Sequence, residues 1–319
     1  SLGLGATAEG LTEIDAEGMT AMPAFIDSHR HVIRGQADEW FEDQSAVRMQ
    51  EFLDAGFTTL MDGGGRPPGI TDLKRRVESG ELVGPRIITS ARANTNGTVD
   101  EARAQVRAAA DAGVDILKTS INLTEAGTER AVLAAIVEEA HQLGLQVMVH
   151  AVTVPAMNAA VAAGVDKLVH TPHDSLMTPE EAQAVADAGI ENASTIGFAV
   201  PLFDVFNNDN VPTFRDGNPW PAEITGTGSN AAGEKAVNAR TLWDVGVVYG
   251  YGTDTGYLPR TALQHELRSL NLMFSPLDLV KLMGPGSAAF VDMSDELGTL
   301  DTGKLADIVL LGGDPLEGY

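Results

Sequence analysis

Cysteine is absent from the 319 residues. That excludes disulfides and thiolate metal sites, so any transition metal must sit on His, carboxylate or modified Lys. Basic residues are scarce: 21 Lys and Arg stand against 45 Asp and Glu, a formal net charge of −24. A surface this acidic repels phosphates, which argues against nucleic acid and anionic membrane as partners. No apolar run approaches the ~18–20 residues of a membrane span. Ser1–Gly10 lacks the basic start and apolar stretch of a signal peptide, so a cytoplasmic location is the expectation for this chain. The chain begins with Ser1 rather than Met, which fits a trimmed start. What is present is ordinary globular material. Hydrophobic residues make up 44%, too many for a disordered chain. The length suits two domains or one large α/β unit.

Short β-rich runs alternate with amphipathic helical stretches, the pattern of a parallel sheet built from βα units. The candidate strands are Ala24–Ser28, Thr58–Asp62, Arg86–Ser90, Asp115–Thr119, Gln146–His150, Lys167–His170, Asn192–Ile196 and Val247–Tyr251. Helices are expected over Asp100–Ala112, Glu129–Leu143, Val154–Ala163 and Pro179–Ala188, each followed by a glycine that can adopt the left-handed turn ending a helix. Eight such units predict a (β/α)8 TIM barrel over residues 23–296. An open nucleotide-binding sheet would place a Gly-rich turn after its first strand, where this chain has Asp27-Ser28-His29-Arg30-His31. The stretches Leu11–Met22 and Thr299–Gly312 read as strands of a small, incomplete β layer formed by residues 1–22 and 297–319. A layer short of strands fits a trimmed chain, or a homo-oligomer that borrows them. Pro201–Gly233, rich in Asn, Pro, Gly and aromatics, reads as a long loop and a candidate lid.

The chain has seven His. His29 and His31 close the first strand with one residue between them, and in a strand such residues face the same way. His150 ends the fifth strand and His170 the sixth; Lys118 ends the fourth, and Asp254 follows the eighth in Gly252-Thr253-Asp254-Thr255-Gly256. Alone, each is more simply a hydrogen-bonding or turn residue. Together, all six fall at C-terminal strand ends, the catalytic face of a TIM barrel, and predict a metal site. Weaker candidates for substrate contact are His173, His265 and Arg260. Arg30 is expected to point away from the His pair and make a structural salt bridge. Gly63-Gly64-Gly65 suits a close-packed loop, or less simply an anion cradle.

The run Met22-Pro23-Ala24-Phe25-Ile26-Asp27-Ser28-His29-Arg30-His31 resembles the first-strand signature of the amidohydrolase superfamily. Ile116-Leu117-Lys118, Val149-His150-Ala151, Val169-His170 and Gly252-Thr253-Asp254-Thr255-Gly256 are similar to its later metal-site motifs, in the same order. Gly303-Lys304-Leu305-Ala306-Asp307 resembles its C-terminal β-layer segment. The resemblance is to the binuclear, carboxylated-lysine type, prolidase-like or imidazolonepropionase-like. It implies two divalent ions, usually Zn2+. His29, His31 and Asp254 would hold one, His150 and His170 the other, with Lys118, carboxylated by CO2, bridging both. It further implies that a metal-bound hydroxide attacks the carbonyl while Asp254 shuttles the proton. Two departures stand out. Ala24 replaces the usual Gly, and Ala151-Val152-Thr153 lacks the aromatic residue that many peptidase-like relatives carry.

The resulting expectation is a metal-dependent hydrolase of a carbonyl C–N bond in a small amide, dipeptide-like or cyclic amide substrate. The alternatives are a one-metal deaminase, a lactone or ester hydrolase of the same fold, and a barrel that binds ligand without turnover.

Overall fold

The computed structural model describes residues 14–125, 127–197, 229–256 and 258–317. The loop expected over Pro201–Gly233 therefore lies outside the described residues up to position 228, as do positions 11–13 of the first expected strand. The fold is α/β. Parallel strands alternate with helices, and each expected strand is found, several of them shorter than the sequence suggests. Strands β2 (Phe25–Arg30), β3 (Phe57–Asp62) and β4 (Arg86–Ile88) form one parallel sheet in that order. A second parallel sheet runs β5 (Ser90–Arg92), β6 (Ile116–Ser120), β7 (Gln146–His150), β8 (Lys167–Val169), β9 (Glu191–Ala193) and β10 (Tyr249–Gly250). Regular ladders do not join the two sheets. Thr89 alone separates β4 from β5. At the other side, the Ser28 N–H donates to the Tyr251 carbonyl at 2.8 Å, and the Asp254 N–H to the His29 carbonyl at 2.8 Å.

The helices end as their sequences dictate. Val154–Ala163 closes on Gly164 at φ 72°, in the left-handed region that a side chain would disfavour. Val99–Asp111 opens with a Thr98/Glu101 capping box, and Pro179–Asp187 with a Thr178/Glu181 box. Buried apolar residues divide by strand parity. Phe25, Leu60, Leu117, Val147, Val149 and Leu168 pack in the large cluster that also takes the helices. Ile26, Met61, Ile116, Met148, Val169 and Ala193 meet one another in a second cluster, closed by Phe290, Val291 and Leu297. Lys118 and His150 share parity with Ile116 and Met148, so they rise from that second cluster toward the C-terminal strand ends.

Near the chain ends, β1 (Thr20–Pro23) pairs antiparallel with β11 (Ile308–Leu311). Glu17 and Gly18 turn the chain before β1, with φ of 49° and 80°. Among the described residues, no helix is long and apolar enough to cross a membrane.

Candidate metal centre

The six side chains expected at strand ends converge. His29, His31, Lys118, His150, His170 and Asp254 line one cavity of about 290 Å3. Asp254 is its hub. Its Oδ1 lies 3.1 Å from His29 Nε2 and 2.9 Å from His31 Nε2, and its Oδ2 lies 3.9 Å from His170 Nε2. The rings of His150 and His170 meet edge to face, centroids 4.3 Å apart. His29, His31 and Asp254 each offer a ligand atom within 4.8 Å of the others.

Strand parity alone would not assemble this set. The pairing of β2 with β3 slips between Asp27 and Arg30, and such a slip re-aims the residues beyond it. Asp27 fixes the result from below. Its carboxylate accepts the His29 N–H at 3.2 Å, the Thr253 N–H at 3.1 Å, the Thr253 hydroxyl at 2.7 Å and Arg30 at 2.9 Å. One buried carboxylate thus ties the first-strand histidines to the loop that carries Asp254, and Arg30 takes the structural salt bridge expected of it. Backbone geometry is unusual here as well. His170, Thr195 and Asp254 have φ of 77°, 46° and 56°. Asp and His tolerate that region; a β-branched Thr does not without strain. What Thr195 gains is a 2.7 Å hydrogen bond between its Oγ1 and His170 Nδ1, which orients that ring.

The glycine run after β3 makes room for the site. A Cβ on Gly63 would lie 1.9 Å from His29 Cε1, and one on Gly64 would lie 2.3 Å from Arg92 Nε. These residues form the close-packed loop that the sequence suggests.

Electrostatics prepare the donors. Burial, with the neighbouring Lys118, lowers the His29 pKa to about 3. Burial lowers His150 to about 4 and holds His170 well below its usual value. All three rings are therefore neutral at pH 7, the state that binds metal. Burial works to raise Asp254, but the imidazoles of His29, His31 and His170 outweigh it and keep the carboxylate ionised. Burial brings Lys118 down to about 7. Among the described residues, Lys118 Nζ and His29 Nδ1 are buried without a hydrogen-bond partner, a state that costs ~1–3 kcal/mol unless a ligand relieves it. Nitrogen and oxygen donors with no thiolate, two of them unsatisfied, fit a divalent metal.

Residues 20–318 match the amidohydrolase family. The chain belongs to that family. This amidohydrolase is a hydrolase acting on carbon–nitrogen bonds, and dependence on divalent metal is general to its family. It is 21% identical over 368 residues to the imidazolonepropionase of Caldanaerobacter subterraneus subsp. tengcongensis, covering 96% of this chain and 79% of that protein. Its fold is similar to the crystal structure of an amidohydrolase at TM-score 0.78 and 25% identity, covering 98% and 84% of the two chains. It is also similar to a Xaa-Pro dipeptidase with methionine in its active site, at TM-score 0.76 and 22% identity, covering 99% and 86%.

The weaker candidates fall elsewhere. His173 is near enough to influence His150 electrostatically, and its buried Nδ1 lacks a partner among the described residues. Arg260 donates to the Asp54 carbonyl at 3.2 Å, and the His265 carbonyl accepts from the Ser269 hydroxyl at 2.9 Å. None of the three is among the residues lining the cavity. Sequence reasoning missed Arg92, Asn94 and Asn122, which do line it, and Thr195. The sequence carries a faint signal for Arg92, which sits two residues beyond the expected third strand.

Proposed function

We propose that this amidohydrolase cleaves the carbonyl C–N bond of a small amide, dipeptide-like or cyclic amide with two zinc ions. His29, His31 and Asp254 would hold one ion and His150 and His170 the other, with carboxylated Lys118 between them. The observation that carries this reading is Lys118 itself. It is a buried amine without a partner among the described residues, near neutrality by its surroundings, in the cavity that holds four imidazoles. An uncharged amine is the form that adds CO2, and the carbamate so formed is an anionic oxygen donor.

Bound cations would supply Lewis acidity toward the carbonyl oxygen and the attacking water. The chain's own groups do the rest. Asp254 accepts the proton that water loses as it adds to the carbonyl carbon, then delivers it to the departing nitrogen as the C–N bond breaks. His29 Nε2 and His31 Nε2, 3.1 and 2.9 Å from Asp254 Oδ1, would share one ion with that carboxylate and so keep it aimed. Thr195 does the same for His170. His173, His265 and Arg260 remain candidates for substrate contact in this reading.

The same reading takes the parallel strands as one (β/α)8 barrel spanning residues 23–296. The single-residue break at Thr89, the bonds from Ser28 and Asp254 to their neighbours, and the shared second cluster support it. Residues 1–22 and 297–319 then form the minor β layer, and the β1–β11 pairing supports that division. Ile308 on this layer is 42% exposed, compatible with a homo-oligomer; a clean monomer in light scattering would exclude strand borrowing.

Metal analysis together with a panel of N-acyl amino acids, dipeptides, cyclic amides and lactones tests the proposal. Two zinc per chain, falling toward one in Lys118→Met, supports it. One zinc per chain, unchanged in that variant, supports the one-metal deaminase instead. Metal-free protein without turnover on any member of the panel would leave a ligand-binding barrel.

A further inference from the structure

Arg92 has no role in the chemistry derived above, yet the fold makes a place for it. It ends β5 in register with Lys118 on β6 and lines the cavity beside Asn94 and Asn122. Gly64 is its seat, since a Cβ there would stand 2.3 Å from Nε and 2.5 Å from Nη2. A residue other than glycine at that position would push the guanidinium away. Among the described residues, no carboxylate lies within the 4.0 Å of an ion pair with it. An exposed arginine without a carboxylate is common and means little by itself. Here it coincides with a shaped seat, a place in the cavity wall, and a chain in which acids outnumber bases 45 to 21.

From this juxtaposition we infer that Arg92, with the carboxamides of Asn94 and Asn122, recognises a carboxylate carried by the substrate, so the substrate class is an acidic amide. The inference rests on the hydrolase reading for the identity of the scissile bond, but not for the binding itself. A planar guanidinium matches a carboxylate through two parallel N–H donors, and amide N–H groups beside it add donors without adding charge. The net charge of −24 gives the local cation its purpose. The surface field repels anions, so an acidic substrate needs a fixed positive group in the mouth to bind productively.

Binding to the zinc-loaded protein by calorimetry, with hydrolysis of each injected compound assayed alongside, tests this through affinity rather than rate. The probes are N-acetyl-L-leucine against N-acetyl-L-leucine amide, and N-succinyl-aniline against its methyl ester. These pairs place the carboxylate on the amine side and on the acyl side of the scissile bond. The wild type should bind the acid of at least one pair about tenfold more tightly than its neutral partner. Arg92→Gln should weaken that acid about 10–100-fold and leave the neutral compound within about threefold. Arg92→Lys should recover part of the loss. Equal binding of acid and neutral partner in both pairs overturns the inference, as does an Arg92→Gln variant that weakens both equally. If the acid preference is present and depends on Arg92 but no amide is hydrolysed, the hydrolase reading fails and the carboxylate site stands. Turnover of neutral amides with no acid preference does the reverse: the carboxylate site falls and the hydrolase reading stands.

Discussion

The two ends of the parallel strands use similar side chains and treat them oppositely. At the N-terminal ends charges are closed into pairs. Lys74 meets Asp115 at 2.6 Å, Lys167 meets Glu191 at 2.5 Å and Asp292 at 3.1 Å, and Arg86 meets Asp307 at 3.2 Å. His141, late in its helix, donates to or accepts from Asp166 at 2.9 Å. A cavity of about 320 Å3 lies at that end, lined by Lys74, Arg86, Asp115 and Asp292. At the C-terminal ends the cavity is slightly smaller, about 290 Å3, but Lys118 Nζ and His29 Nδ1 are left without partners among the described residues. Size therefore does not distinguish the working end from the structural one. Unused ligand capacity does.

The sharpest way to break that contrast is to remove one acid from each end. Asp254→Asn should lower kcat by about 10^3-fold or more while the protein still folds. Asp115→Asn should leave kcat within about twofold and cost ~1–3 kcal/mol of stability, because its carboxylate accepts the Thr89 N–H and hydroxyl, both at 2.7 Å. Steady-state kinetics and urea unfolding on both variants decide it; retained turnover in Asp254→Asn would remove the hub. Next in size is Gly63→Ala. Its methyl group would occupy the space of the His29 ring, and a displacement near 1 Å can cost about 10^2-fold in rate. A Gly63→Ala enzyme of undiminished kcat would show that the ring position is slack.

Smaller again is Thr195→Val, which keeps shape and removes the hydrogen bond to His170. Zinc affinity in a chelator competition should fall about 10-fold, the lower end for a residue that orients a metal ligand. The smallest effect concerns Glu266, buried and accepting the N–H groups of Ile196 at 2.8 Å and Gly197 at 2.6 Å. Burial pushes its pKa up to about 7, against about 4.3 for an unfolded chain. Below about pH 4 both states keep the proton and its contribution is full. As pH climbs toward 7 the unfolded chain releases the proton first, so this contribution declines across that interval, against the opposite trend of the buried histidines. Glu266→Gln should remove it, so the variant's urea midpoints should gain on the wild type's as pH rises from 4.5 to 7.5. Lys235, lowered by burial to about 8, acts above that interval, and an unchanged slope would point to other groups.

Much of this was legible in the residues. Strand positions followed from alternating apolar runs between glycine-terminated helices, and the six polar strand ends followed from the strands. What was not legible depends on backbone events with little compositional signature. The expected strand Arg86–Ser90 is in fact broken at Thr89 and continues to Arg92, so Arg92 read as loop. Asn192–Ile196 stops at Ala193 because Thr195 turns into the left-handed region, which its β-branched side chain disfavours. The tie from Asp27 to Thr253 joins residues far apart in sequence, and periodicity carries no information about such a pair. The slip in β2 that aims His29 is likewise invisible to a strictly alternating pattern.

The tri-glycine corner sets the terms for anyone who would redesign this enzyme by directed evolution. Two of its positions already carry a neighbour's ring or guanidinium where a methyl group would go. New substrates will have to be accommodated by remodelling the Asn94 and Asn122 side of the opening, because libraries that diversify residue 63 will return mostly dead clones.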